Sequence, residues 1–186
     1  MSRVTLLKPR RFGDERGWFQ ETWSIRAARA GGIDVPFVQD NESLSRGTGT
    51  VRGLHFQVPP RAQAKLVRCV VGRIMDYAVD VRRGSPTYGR FIGAELTAEN
   101  GHQLFVPVGF AHGFVTLEPN TQVAYKVSDD YAPDCDGGIR WDSAGIDWPL
   151  PASGPILSDK DRALPTLSEF DSPFPYGGEP LAPTLD

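Results

Sequence analysis

The sequence predicts an all-β protein, folded as a closed or sandwiched antiparallel sheet. The chain contains 20 glycines and 16 prolines in 186 residues, above the typical combined share of ~12%. This surplus implies many turns, and hence short strands rather than long helices. Eight strand-like segments also follow one another, separated by glycine, proline or asparagine at close intervals, as in sandwiches and barrels.

One short helix is expected before the strands, at residues 21–30, where an alanine-rich stretch ends at Gly31 and Gly32, a normal helix stop. The strands are expected at residues 37–45, 50–57, 65–71, 73–82, 89–97, 102–107, 113–118 and 122–128. We expect a single domain over residues 1–186, with a core at about 5–165 and a C-terminal extension at 166–186. From residue 171 this extension is rich in proline and glycine, so it is either an extended arm or disordered.

The strand at 73–82 has two chemically different faces, because side chains alternate along a strand. One face is apolar, and the other carries Asp76 and Asp80. If the polar face points outward, it is a solvated edge. If it points inward, a ligand cavity explains it better than a dry core, because buried charges need partners. The sequence leaves both alternatives open.

Composition excludes several classes of protein. A net charge of -3, with no lysine or arginine run, disfavours binding to nucleic acid or to a membrane surface. The longest nearly uncharged stretch, residues 104–117, is too short to span a bilayer. The N-terminus lacks the apolar core of a signal peptide, so we expect a cytoplasmic protein. Cys69 and Cys135 are expected to be free thiols.

The three histidines, His55, His102 and His112, raise the possibility of a metal site. We expect none, because the chain has no His-x-His pair and His102 follows an Asn-Gly turn. His55 is the better candidate for chemistry, since imidazole exchanges a proton near neutral pH. A histidine satisfied within the core is the alternative. Neighbours elsewhere in the sequence could complete a site: Lys65 as an oxyanion donor, Tyr125 as a second acid and residues 158–161 as a source of carboxylate.

Several motifs identify a family resemblance that covers roughly residues 5–165. The most specific in combination are RGLHFQ followed by PPRAQAKLV, then AHGF, and finally SDKD. Together they resemble the dTDP-4-dehydrorhamnose 3,5-epimerase family. The resemblance implies a cupin-like double-stranded β-helix jelly roll with short peripheral helices, acting as a homodimer without metal or cofactor. It also implies inversion of C3 and C5 of dTDP-4-keto-6-deoxy-D-glucose in dTDP-L-rhamnose biosynthesis.

The resemblance assigns a role to each candidate residue. His55 matches the catalytic base and Asp161 the carboxylate that orients it. Tyr125 matches the acid on the opposite face, and Lys65 would stabilise the enolate. The further substrate-binding positions are Arg16, Phe19, Glu21, Gln39, Asn41, Arg52, His112, Tyr131, Asp136 and Lys160.

Two of these assignments carry particular consequences. The segment from Arg16 to Glu21 reaches the partner's site in the family, so the active sites would be shared between subunits. Asp136 stands where the family usually has glutamate, whose side chain is one methylene longer. Alternative functions are epimerisation of one carbon only, action on another nucleotide-linked 4-keto sugar, or a non-catalytic sugar-nucleotide binding barrel.

Overall fold

The computed structural model describes residues 3–178, and these residues form mainly antiparallel strands. The strands are β1 (Thr5–Leu7), β2 (Arg11–Asp14), β3 (Gly17–Gln20), β4 (Gln39–Ser45), β5 (Val51–Gln57), β6 (Lys65–Val71), β7 (Arg73–Asp80), β8 (Phe91–Thr97), β9 (Gln103–Val106), β10 (Phe110–Thr116), β11 (Thr121–Val127) and β12 (Asp136–Gly138). The helices are α1 (Ile25–Ala30) and α2 (Asp159–Arg162), with a 3₁₀ turn at Pro133–Cys135. No helix within residues 3–178 is long and apolar enough to cross a membrane.

Ten of the strands form two five-stranded sheets, in the arrangement of a cupin-like jelly roll. The first sheet has the order β1-β9-β6-β11-β4, and the second has the order β12-β5-β10-β7-β8. Strands β2 and β3 form a separate hairpin, here called the N-terminal hairpin. The all-β prediction is confirmed, and each of the eight predicted strands is present, with its ends displaced by at most three residues. Strands β1, β2, β3 and β12 and helix α2 were not predicted.

The facing surfaces of the two sheets enclose an apolar core at one end of the roll. Val67, Leu104 and Val123 from the first sheet pack against Ile74 and Phe114 from the second. These side chains are almost fully buried, and their removal from water is the main stabilising contribution. Toward the other end, polar side chains replace apolar ones on the same inner surfaces, and the sheets enclose a cavity.

Packing between the sheets shows which face of β7 points inward. Asp76 and Ala78 point inward, whereas Tyr77 and Val79 pack outward against the C-terminal part of the chain, including Trp148. The sequence left an outward, solvated polar face and an inward, cavity-lining one open. The structure shows the inward arrangement for Asp76, which is fully buried.

The described part of the C-terminal extension is an arm packed on the second sheet. Phe174 is buried in the outer core, and its carbonyl accepts a hydrogen bond from the Arg83 amide at 2.7 Å. The Tyr176 amide in turn donates a hydrogen bond to the Arg83 carbonyl at 3.1 Å. Residues 179–186 of the extension lie outside the described residues.

A buried ion pair holds the turn after β7. Asp80 accepts hydrogen bonds from the guanidinium of Arg82 at 2.9 and 2.7 Å, and from the hydroxyls of Ser85 and Thr87 at 2.6 and 2.7 Å. The side chain of Arg82 lies over the rings of Phe110 and Tyr176. Asp80 thereby connects the end of β7 to the turn, and its partner Arg82 connects both to the arm.

We expect Asp80→Ala to lower the free energy of unfolding by about 3–5 kcal/mol, because it removes the carboxylate partner of a buried guanidinium. Urea denaturation measures the loss. Asp142→Ala is the matched control, since it removes the partner of Arg140 in a surface pair at 2.6 Å and should cost less than ~1 kcal/mol. Equal losses in the two variants would contradict the structural role of Asp80.

Candidate active site

A cavity of about 440 Å³ lies between the two sheets and is lined by His55, Lys65, His112, Tyr125 and Asp161. A second cavity of about 250 Å³ adjoins it and shares His55, Lys65 and Tyr125. The shared side chains make the two cavities one continuous cleft. All four residues predicted as catalytic therefore lie together, although they come from β5, β6, β11 and α2.

His55 and Asp161 form a hydrogen-bonded pair. The Nε2 atom of His55 lies 2.6 Å from Oδ1 of Asp161. Asp161 is fixed by its place in α2, where Ser158 caps the helix and accepts a hydrogen bond from the Asp161 amide at 3.1 Å. Burial raises the pKa of Asp161, but the hydrogen bond and charge of His55, together with the Ser158 hydrogen bond and the charge of Lys160, outweigh it, so the pKa is lowered overall. The carboxylate thus stays ionised and orients the imidazole.

Lys65 places an ammonium group against the backbone of His55. Its Nζ donates to the His55 carbonyl at 3.3 Å, and the side chain is buried. Burial lowers the pKa of Lys65 to about 8; the carboxylates of Asp136 and Asp76 act in the opposite direction, and the charge of Lys160 lowers it further. Near neutral pH the group is mostly protonated. It is therefore suited to stabilise negative charge that develops in the cavity.

Tyr125 reaches the same cavity from the opposite wall. It lies on β11 of the first sheet, paired with Asn41 on one side and Val67 on the other, whereas His55 lies on the second sheet. Burial raises the pKa of Tyr125; the charge of Arg52 lowers it and that of Asp136 raises it further. The phenol therefore keeps its proton at neutral pH, as a general acid must.

A bulge in β5 brings Arg52 and His55 to the same face. His55 pairs with His112 and Arg52 pairs with Phe114, so Gly53 and Leu54 together face the single residue Gly113. Without this irregularity, residues three apart would point to opposite sides of a strand. Because of the bulge, both side chains line the larger cavity.

The smaller cavity gathers most of the remaining predicted substrate-binding residues, namely Gln39, Asn41, Tyr131, Asp136 and Lys160. Gln39 Nε2 donates to Asn41 Oδ1 at 2.7 Å, and Gln39 Oε1 accepts from the Tyr131 amide at 3.1 Å. Asp136 accepts from the Tyr131 hydroxyl at 3.2 Å and also from the Lys160 ammonium. Asp136 therefore connects two other predicted substrate-binding side chains.

Three predicted substrate-binding residues do not join the cleft of their own chain. Arg16 lies in the exposed turn of the N-terminal hairpin, with its Nη2 atom 2.5 Å from Oδ2 of Asp14. Phe19 is 69% exposed on β3, and Glu21 borders a separate cleft beside α1. These positions agree with the expectation that the segment acts at the site of another subunit.

Sequence reasoning missed the partner of His112. His112, which lines the larger cavity, has its Nε2 atom 2.7 Å from Oδ1 of the buried Asp76, so a second histidine–carboxylate pair lies beside the first. The alternation in β7 had placed Asp76 on a polar face, but it did not show the residue with which Asp76 pairs. His102 does not border either cavity, and residues 3–178 contain no group of three or more His, Cys, Asp or Glu that could hold a metal ion.

Comparisons with a family model and with individual known proteins identify the same family. A family model described as dTDP-4-dehydrorhamnose 3,5-epimerase matches residues 1–169. A protein of that name from Sinorhizobium fredii is 52% identical over 178 residues, covering 95% of this chain and 91% of its own length.

Solved structures agree in fold. The dTDP-4-dehydrorhamnose 3,5-epimerase of Bacillus anthracis, with TDP and PPi bound, superposes with a TM-score of 0.84 at 50% identity, covering 87% of this chain and 92% of that one. The dTDP-6-deoxy-D-glucose-3,5-epimerase of Legionella pneumophila, in complex with dTDP-4-keto-L-rhamnose, also gives 0.84, at 42% identity, with coverage of 89% and 88%.

We expect Gly53→Ala to destabilise the protein and disorder the cleft. A Cβ atom at Gly53 would lie 2.5 Å from the Gly113 Cα and 2.7 Å from the His112 carbonyl oxygen, at a φ of +127°. The strands must separate, at a cost of about 3 kcal/mol or more. Gly145→Ala is the control, because φ there is +69° with no atom within 4 Å, and it should cost only about 1–2 kcal/mol. Urea denaturation compares the two, and equal costs would contradict the close approach of the strands.

Proposed function

The chain belongs to the dTDP-4-dehydrorhamnose 3,5-epimerase family, and we propose that it inverts C3 and C5 of dTDP-4-keto-6-deoxy-D-glucose in dTDP-L-rhamnose biosynthesis. The observation that carries this proposal is the pairing of a base and an acid on opposite walls of one cavity. His55 lies on the second sheet and Tyr125 on the first, with the Lys65 ammonium beside them.

The reaction requires removal of a proton and its return on the other side. Both C3 and C5 are adjacent to the C4 ketone, so loss of a proton from either gives an enolate. His55 takes the proton as general base, while Asp161 stabilises the resulting imidazolium. Lys65 stabilises the enolate oxygen, where the negative charge accumulates.

Tyr125 then donates its proton to the opposite face of the same carbon, which inverts the configuration. One proton is lost and one is gained at that carbon, so its oxidation state is unchanged. His55 and Tyr125 return to their starting protonation states by exchange with solvent. The chemistry therefore needs no redox cofactor.

The remaining predicted residues bind the nucleotide half of the substrate. Arg52 and His112 line the larger cavity, where a guanidinium can bind a diphosphate through two hydrogen bonds. Tyr131 is more than half exposed at the smaller cavity and offers a ring face on which thymine can stack. These roles, and a substrate contact by Asp136, stay predictions.

We further propose a homodimer in which the N-terminal hairpin of each chain completes the site of the other. Phe12, Trp18 and Phe19 on this hairpin are 53%, 60% and 69% exposed, which is typical of side chains that contact a partner. The predicted substrate-binding residues Arg16 and Phe19 lie on the same hairpin. The cytoplasmic location expected from the sequence also stays a prediction.

The activity is tested by incubating the protein with dTDP-4-keto-6-deoxy-D-glucose in deuterated water. We expect deuterium at both C3 and C5, measured by NMR, because each inversion returns a solvent-derived proton. His55→Ala should slow exchange by about 10²–10⁴-fold, while dTDP binding, measured by calorimetry, is largely kept.

Each other outcome has a defined meaning. Exchange at neither carbon would contradict the proposed epimerase. Exchange at one carbon only would instead select a single-carbon epimerase. Unchanged exchange in His55→Ala would exclude this histidine as the base.

The shared site is tested by mixing two inactive variants. His55→Ala and Arg16→Ala should each be nearly inactive alone. In a mixed dimer, one site combines the intact His55 of one chain with the intact Arg16 of the other. Random exchange of subunits should therefore restore about a quarter of the wild-type sites. If each hairpin serves its own chain, no activity returns on mixing.

A further inference from the structure

The N-terminal hairpin is held on its own chain by the two residues at its ends. It forms a two-stranded sheet separate from the two five-stranded sheets. Every residue from 12 to 19 is exposed, whereas Arg11 and Gln20 are partly buried. A single hairpin is marginally stable by itself in water. Its position therefore depends on what Arg11 and Gln20 contact, which is the turn at residues 98–102, here called the β8–β9 turn.

Arg11 and Gln20 are cross-strand partners that bind this turn together. The Arg11 guanidinium donates from Nη2 to the Ala98 carbonyl at 2.7 Å, and from Nη1 to the Glu99 carbonyl. Gln20 Nε2 donates to the Gly101 carbonyl at 3.1 Å. Arg11 Nε also donates to Gln20 Oε1 at 3.0 Å, so the two side chains act as one unit.

The β8–β9 turn is itself well fixed. The Asn100 side chain accepts hydrogen bonds from the amides of Thr97 and His102, at 3.1 and 2.9 Å, and donates one to the Glu95 carbonyl at 3.0 Å. An asparagine that bonds the backbone on both sides of itself stabilises a turn. The carbonyl groups that accept from the hairpin are thus presented by an internally hydrogen-bonded turn.

Gly101 leaves the space that the contact requires. A Cβ atom at this position would lie 2.6 Å from Arg11 Nη2 and 2.7 Å from Gln20 Oε1. Any side chain at position 101 would therefore displace the ends of both hairpin residues from the turn.

The contact also decides which face of the hairpin points away from its own chain. Arg11 shares a face with Trp18, and its guanidinium carbon lies 3.9 Å from the centre of the Trp18 ring. Alternation along the strand places Phe19 on the other face, where it is 69% exposed. Arg16 lies in the exposed turn at the tip of the hairpin. Docking of the Arg11 face thus directs Phe19 away from the chain that carries it.

We propose that Arg11 is a positioning residue for the reaction, because it docks the N-terminal hairpin on the β8–β9 turn and so holds Arg16 and Phe19 ready for the partner's cleft. This role rests on the proposed function and its shared site, whereas the docking itself does not. A hairpin that is ordered beforehand loses less conformational entropy when the substrate binds.

Hydrogen exchange of the backbone amides, followed by mass spectrometry, measures how firmly the hairpin is docked. In ligand-free Arg11→Ala we expect residues 11–20 to exchange about tenfold faster, because hydrogen bonds from a charged group are lost. Unchanged exchange of the hairpin would overturn the proposal. Faster exchange throughout the chain would also overturn it, because it would show a general loss of stability.

Arg10→Ala is the matched control. It removes the neighbouring guanidinium, which lies over the Phe12 ring at 4.7 Å and does not contact the β8–β9 turn. The hairpin exchange and the KM of this variant should stay within about twofold of the wild-type values. Changes equal to those of Arg11→Ala would overturn the proposal, because they would show an effect of charge alone.

Steady-state kinetics with dTDP-4-keto-6-deoxy-D-glucose test the role in the reaction. If Arg11→Ala leaves about a tenth of the hairpins docked, KM should rise about tenfold while kcat stays within about twofold, since saturating substrate restores the docked state. A merely structural role would leave the KM of the folded protein unchanged, so an unchanged KM would overturn the positioning role. A loss in kcat alone would overturn it too.

Gly101→Ala separates docking from a direct contact of Arg11 with substrate, because it keeps both hairpin side chains and displaces them from the turn. Gly145→Ala is its control, since φ is +62° at Gly101 and +69° at Gly145, where no atom lies within 4 Å. We expect Gly101→Ala to reproduce the faster hairpin exchange and the higher KM, and Gly145→Ala to produce neither. Wild-type values in folded Gly101→Ala would overturn the proposal.

Failure of the proposed function is distinguishable from failure of this inference. If the wild-type protein incorporates deuterium at neither carbon, the proposed function fails and the positioning role fails with it. The hydrogen exchange of Arg11→Ala and Gly101→Ala still decides whether Arg11 docks the hairpin, because that measurement needs no substrate.

Discussion

An ammonium group buried between two β-sheets is the constraint on which the rest of the site depends. Lys65 loses the hydration that stabilises its charge, and this loss lowers its pKa to about 8. The carboxylates of Asp136 and Asp76 act on this pKa in the opposite direction. In a dry apolar core these charges would only be destabilising. In a cavity where negative charge develops during a reaction, a buried cation stabilises that charge.

The architecture separates a rigid frame from the segments that complete the site. The two sheets fix His55 and Tyr125 on opposite walls, and the bulge at Gly53 turns Arg52 toward the same cavity. The carboxylate that pairs with His55 is that of Asp161, which comes from much later in the chain, in the short helix α2. The packing of the C-terminal part on the outer face of the second sheet holds that helix in place. The same segment therefore contributes both to the packing of the fold and to the His55–Asp161 pair.

The family resemblance leads us to expect a glutamate where this chain has Asp136. The aspartate carboxylate reaches the Tyr131 hydroxyl and the Lys160 ammonium, so it connects two side chains at the smaller cavity. The N-terminal hairpin, in contrast, does not contribute to the cleft of its own chain. Its aromatic side chains are exposed and its predicted ligand-binding residues lie outside their own cleft, an arrangement that a second chain would complete.

The sequence by itself determined the main strands of the roll and named residues that the structure brings together at one cleft. Turn residues and period-two alternation are local properties, so the eight main strands were predictable to within a few residues at each end. The motifs around His55, Lys65, Tyr125 and Asp161 named the proposed catalytic residues through family resemblance, and these four side chains line one cavity. Short strands such as β2, β3 and β12 were missed, because three or four residues carry too little pattern.

Only the tertiary structure decided the relations between residues distant in sequence. Alternation in β7 showed that Asp76 and Ala78 share a face, but not that this face points inward or that Asp76 pairs with His112. The bulge that aligns Arg52 with His55 arises from the close approach of Gly53 to Gly113 on another strand. Such relations depend on strand register and on burial, which are set by long-range packing and leave no periodic trace in the sequence.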